Sequence, residues 1–194
     1  MKLCGLTGGV GMGKSTAAGF LLQSGARVVD TDDLARDLVQ PGQPALAEIK
    51  KAFGACVLSA DGSLRRPELA RRVFSDPAAR QKLEAILHPR IRERWQTLVE
   101  QWRTENIPWG VVVIPLLYET QAESSFDKII CVACSPASQQ QRLQTRGWSP
   151  EQIQQRIASQ LPVEQKMARA HFVLWTEGAL EVSRQQLAAI LRKL

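Results

Sequence analysis

Residues 8–16, which read Gly-Gly-Val-Gly-Met-Gly-Lys-Ser-Thr, have the types and spacing of a phosphate-binding loop. The pattern Gly-x-x-x-x-Gly-Lys-Ser/Thr is complete, with its first glycine at Gly8 and its lysine at Lys14. In such a loop the glycines let backbone N–H groups point at phosphate oxygens, and the following helix offers its positive end. The lysine contacts the β- and γ-phosphates, and the serine hydroxyl ligates magnesium. The residues predicted to bind ATP with Mg²⁺ are Gly9, Val10, Gly11, Met12, Gly13, Lys14, Ser15 and Thr16.

An acidic cluster, Asp-Thr-Asp-Asp, occupies positions 30–33 after a short apolar run. A carboxylate at the end of a strand beside the phosphate loop can accept a proton from an acceptor hydroxyl or help to hold Mg²⁺. Aspartate is also favoured at a helix N-terminus, where it caps amides and complements the dipole. Both roles can hold at once, with Asp30 as the cap and Asp32 as the catalyst, and the sequence does not choose between them.

Two arginines, Arg142 and Arg146, are one helical turn apart and precede Gly147-Trp148. Phosphoryl transfer spreads negative charge over the moving group, and arginines on a mobile lid can neutralise that charge. Arginines on a helix surface are more often simply solvated, so this second interpretation stays open.

Short apolar runs alternate with helical patterns. The runs predict strands at residues 3–7, 27–30, 110–114, 128–134 and 172–175. The third and fourth runs are almost continuously apolar, as in parallel strands that are covered on both faces. Helices are predicted at about 14–24, 31–40, 136–145 and from 150 onward, with a last helix whose apolar face comprises Leu187, Ile190, Leu191 and Leu194. This order predicts an α/β fold with a parallel sheet flanked by helices, of the P-loop NTPase type.

The middle of the chain, residues 45–109, lacks strand periodicity and is predicted to be helical. Pro67 and Pro77 suit the first turns of helices, and His88-Pro89 predicts a break between two helices. A helical insertion at this point would lie over the carboxyl edge of the sheet, where α/β proteins bind ligands. We expect one P-loop kinase domain with a core at about 1–44, 110–140 and 171–194, a helical acceptor-binding insertion at about 45–109 and a helical lid at about 141–170.

Composition narrows the choice of partner. The net charge of +6 attracts polyanions. The basic residues are scattered in short pairs rather than in runs, which favours a phosphorylated small molecule over nucleic acid.

We expect no membrane partner, because no apolar stretch is long enough to span a bilayer or to form a signal peptide. Cys131 and Cys134 lie in an apolar run and are expected to be buried strand residues with free thiols, which favours the cytoplasm. We expect a monomer or a small homo-oligomer.

Further segments are shared with one family over nearly the whole chain. They are Leu6-Thr7 leading into the glycine loop, Val28-Val29-Asp30-Thr31-Asp32, Asp61-Gly62-Ser63-Leu64-Arg65-Arg66, Leu87-His88-Pro89, Pro115-Leu116-Leu117-Tyr118-Glu119, and Arg142, Arg146, Arg156 and Gln160. With these segments the chain resembles the dephospho-CoA kinase family. The glycine loop is common to many kinases, whereas the Pro-Leu-Leu and His-Pro elements are much more specific.

This resemblance implies a substrate and a set of roles. The family uses ATP to phosphorylate the ribose 3′-hydroxyl of dephospho-coenzyme A in the last step of coenzyme A synthesis. The resemblance places the base on Asp32, which would also ligate Mg²⁺ together with Ser15. The residues that it implies for catalysis are Lys14, Asp32, Arg142 and Arg146, and those for acceptor binding are Asp32, Arg66, His88, Pro115 and Leu116.

Three departures from the family pattern bear on the site. Met12 stands where a small residue is usual, and the third strand lacks the acid that many P-loop proteins use for magnesium. Residues 170–178 replace a stretch richer in Asp and Asn, so adenine contacts there are open. Trp175 can stack on a base, but a tryptophan at a strand end is more often buried. Another small-metabolite or nucleoside monophosphate kinase, or an ATP-dependent switch without an acceptor, remains an alternative.

Overall fold

A computed structural model describes residues 1–193, with only the backbone of Phe74; the predicted contribution of Leu194 to the last helix lies outside the described residues. The chain divides into two compact units. One unit comprises Met1–Asp30 together with the chain from Gln101 onward, and the other comprises Thr31–Glu100. No helix among the described residues is long and apolar enough to cross a membrane.

The first unit is built on a parallel sheet. Its strands are β1 (Lys2–Gly8), β2 (Arg27–Asp30), β3 (Trp109–Val113), β4 (Lys128–Ala133) and β5 (Phe172–Trp175), in the spatial order β2-β3-β1-β4-β5. Every neighbouring pair is parallel, so all carboxyl ends share one edge. The predicted fold class and all five predicted strands are therefore confirmed, with shifts of one residue at some ends.

The α-helices follow in chain order: α1 (Lys14–Gln23), α2 (Thr31–Leu38), α3 (Pro44–Phe53), α4 (Arg66–Ser75), α5 (Pro77–Thr104), α6 (Pro136–Thr145), α7 (Pro150–Ala158), α8 (Val163–Arg169) and α9 (Leu180–Leu191). Serine side chains cap two of these helices, and both helices start at the predicted residues 136 and 150. Ser135 accepts a hydrogen bond from the Ser138 amide at the start of α6, and Ser149 forms a reciprocal capping box with Gln152 at the start of α7.

The core of the sheet unit lies between the strands and the helices α1 and α9. It joins buried side chains from four strands to the apolar faces of these two helices, among them Leu6, Phe20, Val111, Ile130 and Leu187. Cys131 lies in β4 and Cys134 directly follows it. Both thiols are buried and free, as predicted.

The second unit is helical and has a core of its own, formed by Val39, Leu46, Ile49, Val57 and Leu69. The first-turn prolines of α4 and α5 are confirmed.

The predicted break at His88-Pro89 is wrong, because α5 continues through Pro89. A proline inside a helix removes one backbone hydrogen bond and crowds the preceding turn. The missing amide is the one that would pair with the Ala85 carbonyl, and at the next residue the Arg90 guanidinium donates to the Ile86 carbonyl at 2.6 Å. Ile86 and Leu87 also pack against the unit's core. Packing of these residues before the proline, together with the buried Trp95 and Val99 beyond it, therefore outweighs its local preference.

Candidate active site

The phosphate-binding loop joins the end of β1 to the start of α1, and two glycines shape it. Gly8 has φ 141°, and a Cβ atom there would lie 2.1 Å from the Val132 carbonyl oxygen on β4. Gly13 is the N-cap of α1 and has a left-handed φ of 94°. Within the described residues, no side chain caps this end of α1 and no acid lies in its first turn. The uncapped amides and the helix dipole make it suited to an anion.

Lys14 points back across the loop. Its Nζ atom donates to the carbonyl oxygens of Gly8 and Gly9, each at 2.9 Å. The ammonium group therefore lies at the loop, next to the uncapped start of α1. Ser15 and Thr16, in the same helical turn, are exposed. The Ser15 hydroxyl is an oxygen ligand of the kind that Mg²⁺ prefers, so its chemistry fits the predicted metal role.

The loop is braced by side chains from outside it. Gln139 on α6 donates to the Val10 carbonyl at 2.7 Å, and the Val10 amide donates to Oε1 of Gln160 at 3.0 Å. The Thr176 hydroxyl donates to the carbonyl of Met12 at 2.8 Å. Both polar backbone groups of Val10 are thus satisfied, which holds the loop in one shape before any ligand binds.

The unusual Met12 has a structural explanation. Its side chain is buried and belongs to a small apolar cluster with Ala133 and Cys134, against which Val163 and Met167 of α8 pack. The thioether fills a gap between the loop and the α8 helix, a role for which its flexible chain is well suited.

A cleft of about 490 Å³ opens beside the loop. Gly11, Gly13 and Thr16 line one side of it, and both predicted lid arginines, Arg142 and Arg146, also line it. Its size lies within the usual range for small-ligand sites. The structure therefore brings the phosphate loop and the two arginines together around one space.

The two arginines differ in their surroundings. Arg142, near the end of α6, donates from Nη1 to the Thr176 hydroxyl at 3.0 Å and from Nη2 to the Thr176 carbonyl. Arg146 directly follows α6 and is exposed. Arg142 is thus held at the wall of the cleft, whereas Arg146 presents its charge to solvent.

Glu177 anchors the segment after β5, which includes Thr176, to the start of α6. Its carboxylate accepts from the Ser135 amide at 2.6 Å and from the Ser138 hydroxyl at 2.8 Å. These hydrogen bonds, with a smaller contribution from the charge of Arg142, lower the pKa of Glu177 from 4.5 to about 2. The acid therefore stays ionised at any physiological pH and fixes one wall of the cleft.

Trp175 is not buried: 40% of its surface is exposed, so the expectation of burial is wrong. The alternation along β5 explains this, because Leu174 takes the inward position and Trp175 the outward one. Trp175 lines a second cleft, of about 750 Å³, with Met12, Ile153, Ile157 and Met167.

Pro115 and Leu116 follow β3 after one residue, Ile114, and are half-buried. The Pro115 carbonyl accepts from the Thr7 hydroxyl, at the end of β1, at 3.3 Å and from Nζ of Lys166 on α8 at 2.7 Å. The predicted acceptor-binding turn is thus tied to the residue that leads into the phosphate loop.

The other predicted residues belong to the helical unit. Asp32 lies in the first turn of α2, two residues after the end of β2, and is exposed. Asp33, its neighbour, pairs with Arg36 at 2.6 Å. Arg66, exposed at the start of α4, donates to the Arg36 carbonyl at 3.5 Å, which places it beside α2. His88 is half-buried in α5, and burial lowers its pKa.

The family model for dephospho-CoA kinase matches residues 2–181, which is most of the chain. The chain belongs to the dephospho-CoA kinase family. A dephospho-CoA kinase of Anaeromyxobacter dehalogenans is 46% identical over 182 residues, covering 93% of this chain and 86% of that protein. One of Syntrophotalea carbinolica is 42% identical over 195 residues, covering 100% and 92%. A crystal structure of a Thermus thermophilus protein superposes with a TM-score of 0.83 at 36% identity, covering 100% of this chain and 97% of that one.

Two residues of this dephospho-CoA kinase family member escape sequence reasoning. Gln139 and Thr176 contact the loop from 129 and 164 residues away in the chain, and neither belongs to a recognisable motif. Gln160 is implied only by the family resemblance, and the structure gives it a definite partner in the Val10 amide. Side chains that brace a loop across the fold leave no local signal.

Proposed function

We propose that the chain transfers the γ-phosphoryl group of ATP to the ribose 3′-hydroxyl of dephospho-coenzyme A and so gives coenzyme A and ADP. The observation that carries this proposal is a complete phosphate loop, braced and uncapped, in a chain that matches the family over residues 2–181. Transfer is ATP-dependent, because the loop and Lys14 suit the β- and γ-phosphates of a nucleotide.

The nucleotide binds with its phosphates at the start of α1. The amides of the loop and the Lys14 ammonium neutralise the phosphate charge, and the adenosine occupies the cleft of about 490 Å³ beside Arg142. Mg²⁺, when bound, polarises the phosphates and neutralises developing charge. The exposed Ser15 hydroxyl would hold it together with Asp32 and phosphate oxygens.

The chemical step is an in-line transfer. Asp32 accepts the proton of the ribose 3′-hydroxyl, the oxygen attacks the γ-phosphorus, and the bond to the β–γ bridging oxygen breaks as ADP leaves. Lys14, Arg142 and Arg146 stabilise the charge on the moving group. Arg142 acts from a position fixed on Thr176, and the exposed Arg146 is the arginine that can still move toward the phosphate.

We assign the acceptor to the predicted helical insertion at about 45–109, with Arg66 and His88, and to Pro115 and Leu116. A compact helical unit with its own core and an exposed arginine beside α2 supports this assignment.

The segment at about 141–170 is assigned as the lid. Breaks at Gly147, with φ 80°, and at Pro162 divide it into short helices that can pivot. The four free thiols support a reducing compartment, the cytoplasm.

An acceptor panel tests the proposal. ADP release is followed with ATP and Mg²⁺ in the presence of dephospho-coenzyme A, AMP, shikimate or no acceptor, and a Lys14→Met preparation reports contaminating kinases. We expect release that depends on dephospho-coenzyme A alone. Equal release without acceptor would instead support an ATP-dependent switch, and release with AMP or shikimate would support another metabolite kinase.

A further inference from the structure

Lys166 on α8 is a charged side chain with no exposed surface. Its Nζ atom donates to the Pro115 carbonyl at 2.7 Å and lies 2.8 Å from Oε1 of Glu119. Removing an ammonium group from water is costly unless it is paired, and an apolar residue of similar size usually serves the core as well or better. A lysine at this position therefore needs a reason other than stability.

The partners of Lys166 show what it holds. Pro115 and Glu119 are the two ends of the turn that follows β3, so one ammonium group contacts both ends. Glu119 Oε1 also accepts from the Leu161 amide at 2.8 Å, and the Pro115 carbonyl also accepts from the Thr7 hydroxyl at 3.3 Å. The turn is thus attached to the segment before α8 and to the end of β1.

Hydrogen bonds within the turn fix its own shape. The Thr120 amide and hydroxyl both donate to the Leu116 carbonyl, at 2.9 and 2.8 Å, and the Ala122 amide donates to the Leu117 carbonyl at 2.9 Å. These local bonds do not set where the turn lies relative to the loop. Leu117 is fully buried, whereas Pro115 and Leu116 retain exposed surface. The bonds from Lys166 and Thr7 to the Pro115 carbonyl hold the start of that surface in place.

We infer that Lys166, paired with Glu119, is a positioning residue that holds residues 115–119 in the place that receives the acceptor. It acts through Pro115 and Glu119, because a side chain without exposed surface does not touch substrate. The inference rests on the proposed function, which assigns Pro115 and Leu116 to the acceptor. Removing the pair shifts the turn and weakens the acceptor site, and it leaves ATP binding by the loop largely unchanged.

Two variants test this inference. Lys166→Met keeps the length of the side chain but leaves Glu119 without its cation. The double variant Lys166→Met/Glu119→Gln removes both charges and so leaves no unpaired carboxylate beside the new methionine. A control is Arg27→Met/Glu105→Gln, which removes an ion pair of the same unit at the start of β2, with side chains that are 58% and 38% exposed.

We expect the double variant to raise KM for dephospho-coenzyme A by about tenfold or more, the scale of a misplaced binding group, with KM for ATP within about twofold of wild type. The control should keep wild-type values for both. Wild-type kinetics in the double variant would overturn the inference. Loss of folding in both Lys166 variants but not in the control would also overturn it, because the pair would then serve the fold alone. If the wild-type chain shows no turnover with dephospho-coenzyme A, the proposed function itself fails, and this inference fails with it.

Discussion

Replacing Asp32 by Asn separates catalysis from helix capping. Asparagine caps a helix about as well as aspartate, so the fold and ATP binding should survive. It cannot accept a proton, and it is a poorer Mg²⁺ ligand because it lacks the charge. A positioned base contributes about a hundredfold or more in rate. That factor corresponds to about 2.7 kcal/mol in the barrier.

The neighbouring Asp33 supplies the matched control. Its ion pair with Arg36 is short, at 2.6 Å, but the two side chains are 66% and 61% exposed. An exposed pair of this kind contributes about 0.5 kcal/mol to the free energy of unfolding. Asp33→Asn should therefore lower the melting temperature by about 1–2 °C and leave the rate nearly unchanged. Asp30→Asn, at the end of β2, should also do less harm to the rate than Asp32→Asn.

Steady-state ADP release at saturating dephospho-coenzyme A, together with thermal melts of the three variants, decides between these roles. If Asp33→Asn is the inactive variant, the base has been assigned one residue too early. If all three variants keep wild-type rates, the acidic cluster is structural and the reasoning about Asp32 is refuted.

Three further changes have definite expected outcomes. Gly8→Ala should destabilise the fold by about 3 kcal/mol, because its Cβ atom would lie 2.1 Å from a carbonyl oxygen on β4. Gly19→Ala inside α1 meets no atom within 4 Å and should stabilise the fold by about 1 kcal/mol. Urea unfolding of the two variants measures both changes in the free energy of unfolding. Tyr118→Phe should leave the free energy of unfolding unchanged or raise it by about 1 kcal/mol, because the buried hydroxyl has no hydrogen-bond partner in the described part of the chain. If urea unfolding shows a marked decrease in that free energy, the hydroxyl does have a partner. The stability that Glu177 contributes is present above its ordinary pKa of 4.5 and is lost as pH falls toward about 2. Between pH 4.5 and 2, the free energy of unfolding of Glu177→Gln should therefore fall less than that of the wild type.

Much of the fold follows from local patterns. Buried parallel strands must be apolar on both faces, so Val111, Val112 and their neighbours are recognisable as a strand. Serine-proline pairs mark the starts of α6 and α7 because the serine caps and the proline suits the first turn. The same reasoning failed at Pro89, where Ile86 and Leu87 before the proline and the buried Trp95 and Val99 beyond it pack well enough to keep the helix continuous. A rule based on local sequence does not include that packing.

The sequence signal for the candidate site is clearest where its residues are contiguous. The loop from Gly8 to Thr16 is one segment whose chemistry is complete in itself. The fixed position of Arg142 depends on Thr176, which is 34 residues away, so its spacing from Arg146 predicted a mobile lid arginine and not an anchored one. The buried Lys166 gives no sequence signal at all, because a lysine is normally assigned to the surface.

The most direct test of the proposed reaction is the position of the transferred phosphate. Wild-type chain is incubated with ATP, Mg²⁺ and dephospho-coenzyme A, and the purified product is examined by ³¹P NMR with proton coupling. The proposed function predicts one new phosphomonoester whose phosphorus couples to the ribose 3′ proton, formed in equal amount to ADP. A phosphate on another hydroxyl, or ADP accompanied only by inorganic phosphate, would contradict it.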